Sequence, residues 1–173
     1  MTAKGVRDGA GLATALVYTQ LLSDAIKAKK RYGTIPARLD TTFPWDEAAA
    51  RALFAQLGQS VPDDYDVFYL SPTRDLGLPF CYAVCFAAWF VVRGQHARAL
   101  LPLIGGVADL TENFSIFSLR KAYPDFSGPR AELALAVGPV ATAIKWVCFL
   151  LSILLLTFGG RKSTPAAAKK KDA

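Results

Sequence analysis

Asp109-Leu110-Thr111-Glu112-Asn113 is a polar cluster inside an otherwise apolar stretch, and its reading decides the fold. From Ala97 to Leu119 nearly every other residue is apolar or small. Charged side chains at bilayer depth are costly, so they pair with one another or line a cavity. Two acids and an amide at such a depth need compensation. The candidate partner is Lys145, alone among charged residues in the apolar run from Leu133 to Phe158. Asp109, Glu112 and Asn113 stand at i, i+3 and i+4, on one helix face.

Depth arithmetic supports the pairing. At about 1.5 Å rise per residue, Lys145 lies roughly 18 Å along its helix from Leu133, and Asp109 roughly 16 Å along its own from Arg120. One short connector joins the two helices, so they run antiparallel and the charges meet at similar depth. The expectation is that Lys145 contacts Asp109 or Glu112, with Asn113 nearby and all four facing the bundle.

Composition fits membrane spans. Of 173 residues, 53% are hydrophobic, against about 45–50% in soluble domains by a broader count that includes Gly. The surplus is concentrated in the second half. The net charge is +6, but much of the excess sits in the tail, at Arg161, Lys162 and Lys169–Lys171. No aromatic interleaving accompanies it, so nucleic acid is not an expected partner. Cys81, Cys85 and Cys148 lie inside predicted spans, there is no Cys-x-x-Cys pair, and His96 is the single histidine. A zinc site needs four closing ligands, so neither a metal nor a cofactor is expected, bound lipids apart.

Along the chain, 9–31 reads either as a weak first span or as an amphipathic helix lying in the interface. Its apolar Leu12, Leu16 and Val17 are expected to pack on the bundle, opposite Gln20 and Asp24. A basic cluster (Lys27, Lys29, Lys30, Arg31) follows it in place of a signal-peptide cleavage site. Residues 33–44 are a connector with Gly33, Pro36 and Pro44. A short amphipathic helix outside the bilayer follows at 44–58. Pro44, Asp46 and Glu47 favour its start, and Ala50, Leu53, Phe54 and Leu57 fall on one face. Residues 61–74 alternate Asp63, Asp64 and Asp66 with Tyr65, Phe68 and Tyr69, as in an interfacial aromatic belt. They lack the glycine and distal glutamate of a calcium loop. Three clear spans are expected at 76–92, 97–119 and 133–158. The second carries Pro102, Gly105 and Gly106, small residues that let a neighbouring backbone approach.

The fold class is therefore all-α, a polytopic antiparallel bundle in one membrane domain, 1–160, followed by a basic disordered tail, 161–173. With four spans both termini share a side with connector 93–98. That side carries nine Lys/Arg: Lys4, Arg7, Arg93, Arg98, Arg161, Lys162, Lys169, Lys170 and Lys171. The opposite side carries ten, with most of the acids and a longer loop, and the five in the tail tip the choice toward termini on the cytosolic or matrix side. Lys170-Lys171-Asp172-Ala173 is similar to a dilysine retrieval signal of the endoplasmic reticulum. The competing reading is a basic tail, Lys169–Lys171, that grips anionic lipid.

Several pieces also resemble a family of small, uncharacterised four-helix membrane proteins of bacteria and microbial eukaryotes. These are Trp45–Gly58, Phe68-Tyr69-Leu70 with Asp75 and Pro79, Asp109-Leu110-Thr111-Glu112-Asn113, and Ala143-Ile144-Lys145-Trp146. The resemblance covers about residues 39–158. It implies the architecture and the polar positions, and no activity. The weak first segment departs from that pattern.

Three functions fit these readings. The first is a structural or accessory subunit of a larger membrane assembly, such as an organellar respiratory or photosynthetic complex. The second is an endoplasmic-reticulum protein handling lipids or clients. The third is a small proton- or ion-coupled transporter using Asp109, Glu112 and Lys145. No nucleophile, metal cluster or phosphate loop stands beside the acids, so no catalytic residue is assigned. Transporters commonly carry internal repeats, and none is visible.

Overall fold

The computed structural model describes residues 45–57 and 76–159 (backbone only at 56 and 57). It also describes residues 2, 5, 7–9, 11, 12, 14–16, 19, 22, 23, 26, 29 and 39. Connector 33–44 apart from Leu39, the belt 61–74, and the tail 161–173 with Lys169, Lys170 and Lys171 lie outside these residues. The fold is all-α, with no strand among the described residues. Its elements are α1 (Glu47–Leu57), α2 (Gly77–Val92), a 3₁₀ turn (His96–Ala99), α3 (Leu100–Ala122) and α4 (Pro129–Phe158).

The N-terminus of α1 is set by a cap. Asp46 Oδ1 accepts the Ala49 amide at 2.8 Å, satisfying one orphan donor of the first turn. The helix therefore starts at Glu47, three residues later than the sequence reading placed it. Ala50, Leu53 and Phe54 are buried and face the bundle. Arg51 holds the other flank: it bonds Glu47 at 2.7 Å and donates to the carbonyls of Pro124 and Asp125. Its guanidinium also lies 4.5 Å from the Phe126 ring centroid. So α1 is tied to the turn between α3 and α4.

That turn brings Tyr123 and Phe126 edge-on to Phe54 and to each other, with centroids 5.8–6.1 Å apart. Gly128 takes φ +96°, a region that L side chains rarely adopt, and its carbonyl accepts the amides of Ala131 and Glu132. Helix α4 starts at Pro129, one turn before Leu133, because proline is pre-organised for the first helical turn. Helix α3 runs on past Leu119 to Ala122, with Arg120 and Lys121 on the favourable end of its dipole. Hydropathy marks where side chains turn polar, whereas caps and prolines mark where a helix ends, so α3 and α4 overrun the expected spans at this turn. At the other end α3 starts at Leu100, not 97, because the 3₁₀ turn takes His96–Ala99, and α2 starts at Gly77.

Helices α3 and α4 form an antiparallel hairpin. Helix α2 packs on the Arg98 half of α3 and α1 on the Arg120 half. Glycine permits the first contact. A Cβ on Gly106 would lie 2.7 Å from Ala83 Cβ and 3.2 Å from the Pro79 carbonyl. A Cβ on Gly105 would lie 2.9 Å from Cys148 Cβ, so both neighbouring helices approach here. Further along, Leu53, Phe54, Ile116, Leu119, Phe126, Ala131 and Ala134 form an apolar core beneath α1, with Trp45 at its edge.

Between 5 and 29 the described residues have helical backbone. They meet α2 at Cys85, whose thiol donates to the Arg7 carbonyl at 3.7 Å and lies beside Gly11. Leu12 and Leu16, expected with Val17 to pack on the bundle, are instead 64% and 63% exposed, while Val17, Gln20 and Asp24 lie outside the described residues. The close approach uses Gly11, and the leucines turn outward.

Among the described residues one helix, α4, is long and apolar enough to cross a membrane, and α2 is a shorter apolar helix. The 23 residues of α3 carry Asp109, Glu112 and Asn113, which lower its apolarity. Burial in the hairpin is inverted relative to a water-soluble core. Ser115, Thr142, Ser152, Glu112 and Lys145 are buried, while Val107, Phe114, Val140, Val147 and Leu150 are each more than half exposed.

Candidate functional site

The site is a closed polar network between α3 and α4, reached by α2 from one side and by Trp45 from the other. Its centre is Glu112, fully buried. One carboxylate oxygen, Oε2, accepts from the Lys145 ammonium, and the other, Oε1, accepts from the Thr142 hydroxyl. Asp109 stands one turn away on the same face. Its Oδ1 lies 3.5 Å from Lys145 Nζ and 3.5 Å from Asn113 Nδ2. Its Oδ2 accepts the Tyr82 hydroxyl at 2.9 Å. Lys145 thus bridges both acids, and Glu112 is its closer partner.

The network continues outward through Thr142. Its hydroxyl accepts the Trp45 indole N–H at 2.9 Å and has the Gly138 carbonyl, 3.0 Å away, as an alternative acceptor. A hydroxyl has one proton to give, and a carboxylate is the stronger acceptor. Trp45 is 1% exposed and rests on Gly138: a Cβ there would fall 2.5 Å from Trp45 Cη2 and 3.0 Å from Ser115 Cβ. Gly138 is therefore a notch that seats the indole over the ion pair. On the other flank, Tyr82 stacks edge-on against Phe149 with centroids 5.8 Å apart, which fixes its hydroxyl toward Asp109.

The structure brings Asp109, Glu112, Asn113 and Lys145 into one cluster. The side chains of Glu112 and Lys145 are 0% and 8% exposed, while that of Asp109 is 14% exposed. His96 is exposed in the connector. Among the described residues no three His, Cys, Asp or Glu side chains gather in a way that could hold a metal.

Trp45, Thr142, Tyr82 and Gly138 join the site without having been singled out in the sequence. Gly138, Thr142 and Lys145 stand at i, i+4 and i+7, one stripe of α4, so that spacing could have pointed to the first two. Nothing local in the sequence marks Tyr82, which arrives from α2, or Trp45, which arrives from the segment just before α1. Chemically, the arrangement can hold two helices together through charge-assisted hydrogen bonds. With all three groups ionised it carries two negative charges and one positive. The Thr142 hydroxyl is fully buried beneath Trp45 and so is closed to a substrate.

No known protein family, curated protein or solved structure matches the chain.

Proposed function

We propose that the chain is a polytopic integral membrane protein that serves as a structural, accessory subunit of a larger assembly in an organelle membrane. The inverted burial of the α3–α4 hairpin carries this reading. Small and polar residues make up most of the interior, with Ile116, Leu119 and Leu156 beside them, while valine, leucine, isoleucine and phenylalanine cover the outside. In water that outer face is far beyond the scattered apolar exposure of an ordinary surface. In lipid it costs nothing, and small residues inside are what helix packing there requires. The stretch Leu100–Leu119, between Arg98 and Arg120, is 20 residues, about 30 Å, the thickness of a bilayer core. Helix α4 is longer than the bilayer is thick and would tilt.

In this reading the Glu112–Lys145 pair is a tie between helices. Each oxygen of Glu112 has its own donor, as a structural contact requires. The family resemblance and the basic tail are compatible with a small partner of a larger complex whose termini face the cytosol or matrix. Native gel electrophoresis of detergent-solubilised membranes tests the subunit role, after alkaline carbonate extraction has tested membrane integration. Co-migration with a large complex is expected. Migration only as a free small species would overturn the subunit role, and release by carbonate would overturn the membrane reading itself.

A second reading, a proton- or ion-coupled carrier, is favoured by one observation. Two acids share one lysine, and the Asp109 side chain keeps 14% exposure. Reconstitution into vesicles with a pH-sensitive dye separates the two: the structural reading expects no flux above that of Asp109→Asn.

A further inference from the structure

On the outer face of the hairpin lies an open groove of about 440 Å³. Leu100, Ile104, Val107, Val137, Val140 and Ile144 form its walls, with Ala108, Ala141 and Thr111 among its other lining residues. The Thr111 hydroxyl is turned back onto the Val107 carbonyl at 2.9 Å, so the surface offered is hydrocarbon. Resting on the membrane reading above, we infer that this groove holds one acyl chain of an anionic phospholipid, whose phosphate sits against Arg98 at the Leu100 end.

The lining selects the occupant. Leu100, Ile104 and Val107 of α3 and Val137, Val140 and Ile144 of α4 give a hydrocarbon surface, with the small, buried Ala108 and Ala141 between them. An extended methylene chain seats on such a surface at carbon contact distances of about 4 Å.

Charge selects the headgroup. The Leu100 end of the groove lies beside the connector that carries Arg93, His96 and Arg98. No Asp or Glu occurs anywhere from Leu76 to Ala108. Arg93 is engaged by the Leu156 carbonyl and by the Trp89 ring, 5.5 Å away. Arg98 bonds Gln95 Oε1 at 3.3 Å through one nitrogen, which leaves the rest of its fork for a phosphate. His96, exposed in the same turn, is a second donor.

Native mass spectrometry of the full chain in detergent tests this, with palmitoyl-oleoyl phosphatidylglycerol and the matching phosphatidylcholine as probes. Phosphatidylglycerol is expected to remain bound at one per chain, with phosphatidylcholine retained about fivefold less or weaker. Arg98→Gln is expected to lower phosphatidylglycerol retention about fivefold, the factor one basic residue contributes at an anionic surface. Val107→Trp with Val140→Trp fills the groove from both walls at exposed positions and should abolish retention while circular dichroism keeps the wild-type helix content. Should the double variant misfold, Ile104→Trp alone serves, again with loss expected. Equal retention of the two lipids, or undiminished phosphatidylglycerol in a folded groove-filled variant, overturns the proposal. So does loss of a co-purifying protein in place of lipid from that variant. Release of the wild-type chain by carbonate would instead overturn the membrane reading, a separate result.

Discussion

Lys145→Met is the most informative single change, because it removes one partner from a pair that is almost wholly sealed. Glu112 is 0% exposed and would keep the Thr142 hydroxyl as donor but lose its cation. Breaking a buried pair in this way costs about 3–5 kcal/mol, since the remaining charge stays buried without its counter-ion. An ordinary interhelical hydrogen bond in a membrane contributes far less, about 0.6 kcal/mol on average. The two figures separate a true buried ion pair from a generic polar contact. Adding Glu112→Gln to Lys145→Met removes the stranded charge and keeps an acceptor for Thr142, so at least half of the loss should return. Asp109→Asn alone should cost about 1 kcal/mol or less. Asp109 lies 3.5 Å from the ammonium and is partly exposed, and the asparagine keeps an acceptor for Tyr82. The assay is reversible unfolding with dodecyl sulfate in maltoside micelles, followed by tryptophan fluorescence. A loss below about 1 kcal/mol for Lys145→Met, or no recovery in the double variant, would refute the reasoning.

Three further outcomes are expected. Gly138→Ala drives a methyl into the Trp45 ring, 2.5 Å from Cη2, and should cost about 1–3 kcal/mol by overpacking; Trp45→Phe in the same chain should relieve part of it, read as melting temperature in detergent. Gly106→Ala meets Ala83 Cβ at 2.7 Å and the Pro79 backbone at 3.2 Å, so α2 must move off α3; cross-linking between cysteines placed on α2 and α3 should fall relative to the parent. If the endoplasmic-reticulum reading is right, Lys170→Ser with Lys171→Ser sends the protein along the secretory pathway; the subunit reading expects an organelle location that does not change, by fractionation.

The helices were legible because breakers and apolar runs coincide along this chain: Pro44 and Gly58 bracket α1, and Arg93 and Arg120 bracket the region of α3. The approach of Lys145 to the acids followed from counting residues from each membrane face, since two antiparallel helices with one short turn leave little freedom in depth. Which acid lies closer did not follow. One helical turn separates Asp109 from Glu112, and only packing decides between them. Trp45 read as the start of a surface helix, because a residue that plugs a notch on a helix nearly a hundred positions later leaves no periodic trace. Leu12 and Leu16 were placed inward by their hydrophobicity, a rule that reverses where the surroundings are hydrocarbon, as proposed here.

The notch at Gly138 has a consequence for how the hairpin finds its alignment. Two acids about one turn apart offer Lys145 two berths, so sliding α4 along α3 by roughly 5 Å would exchange Glu112 for Asp109 and still leave a salt bridge. Charge alone is therefore a poor ruler on this pair of helices. The indole of Trp45 is not so tolerant: it fits only where a residue without a side chain lies across from Ser115 and a hydroxyl stands one turn further along. Helix α1, which rests on both α3 and α4 at once, acts as a gauge laid across a joint and closes only over the alignment that puts Glu112 against the lysine.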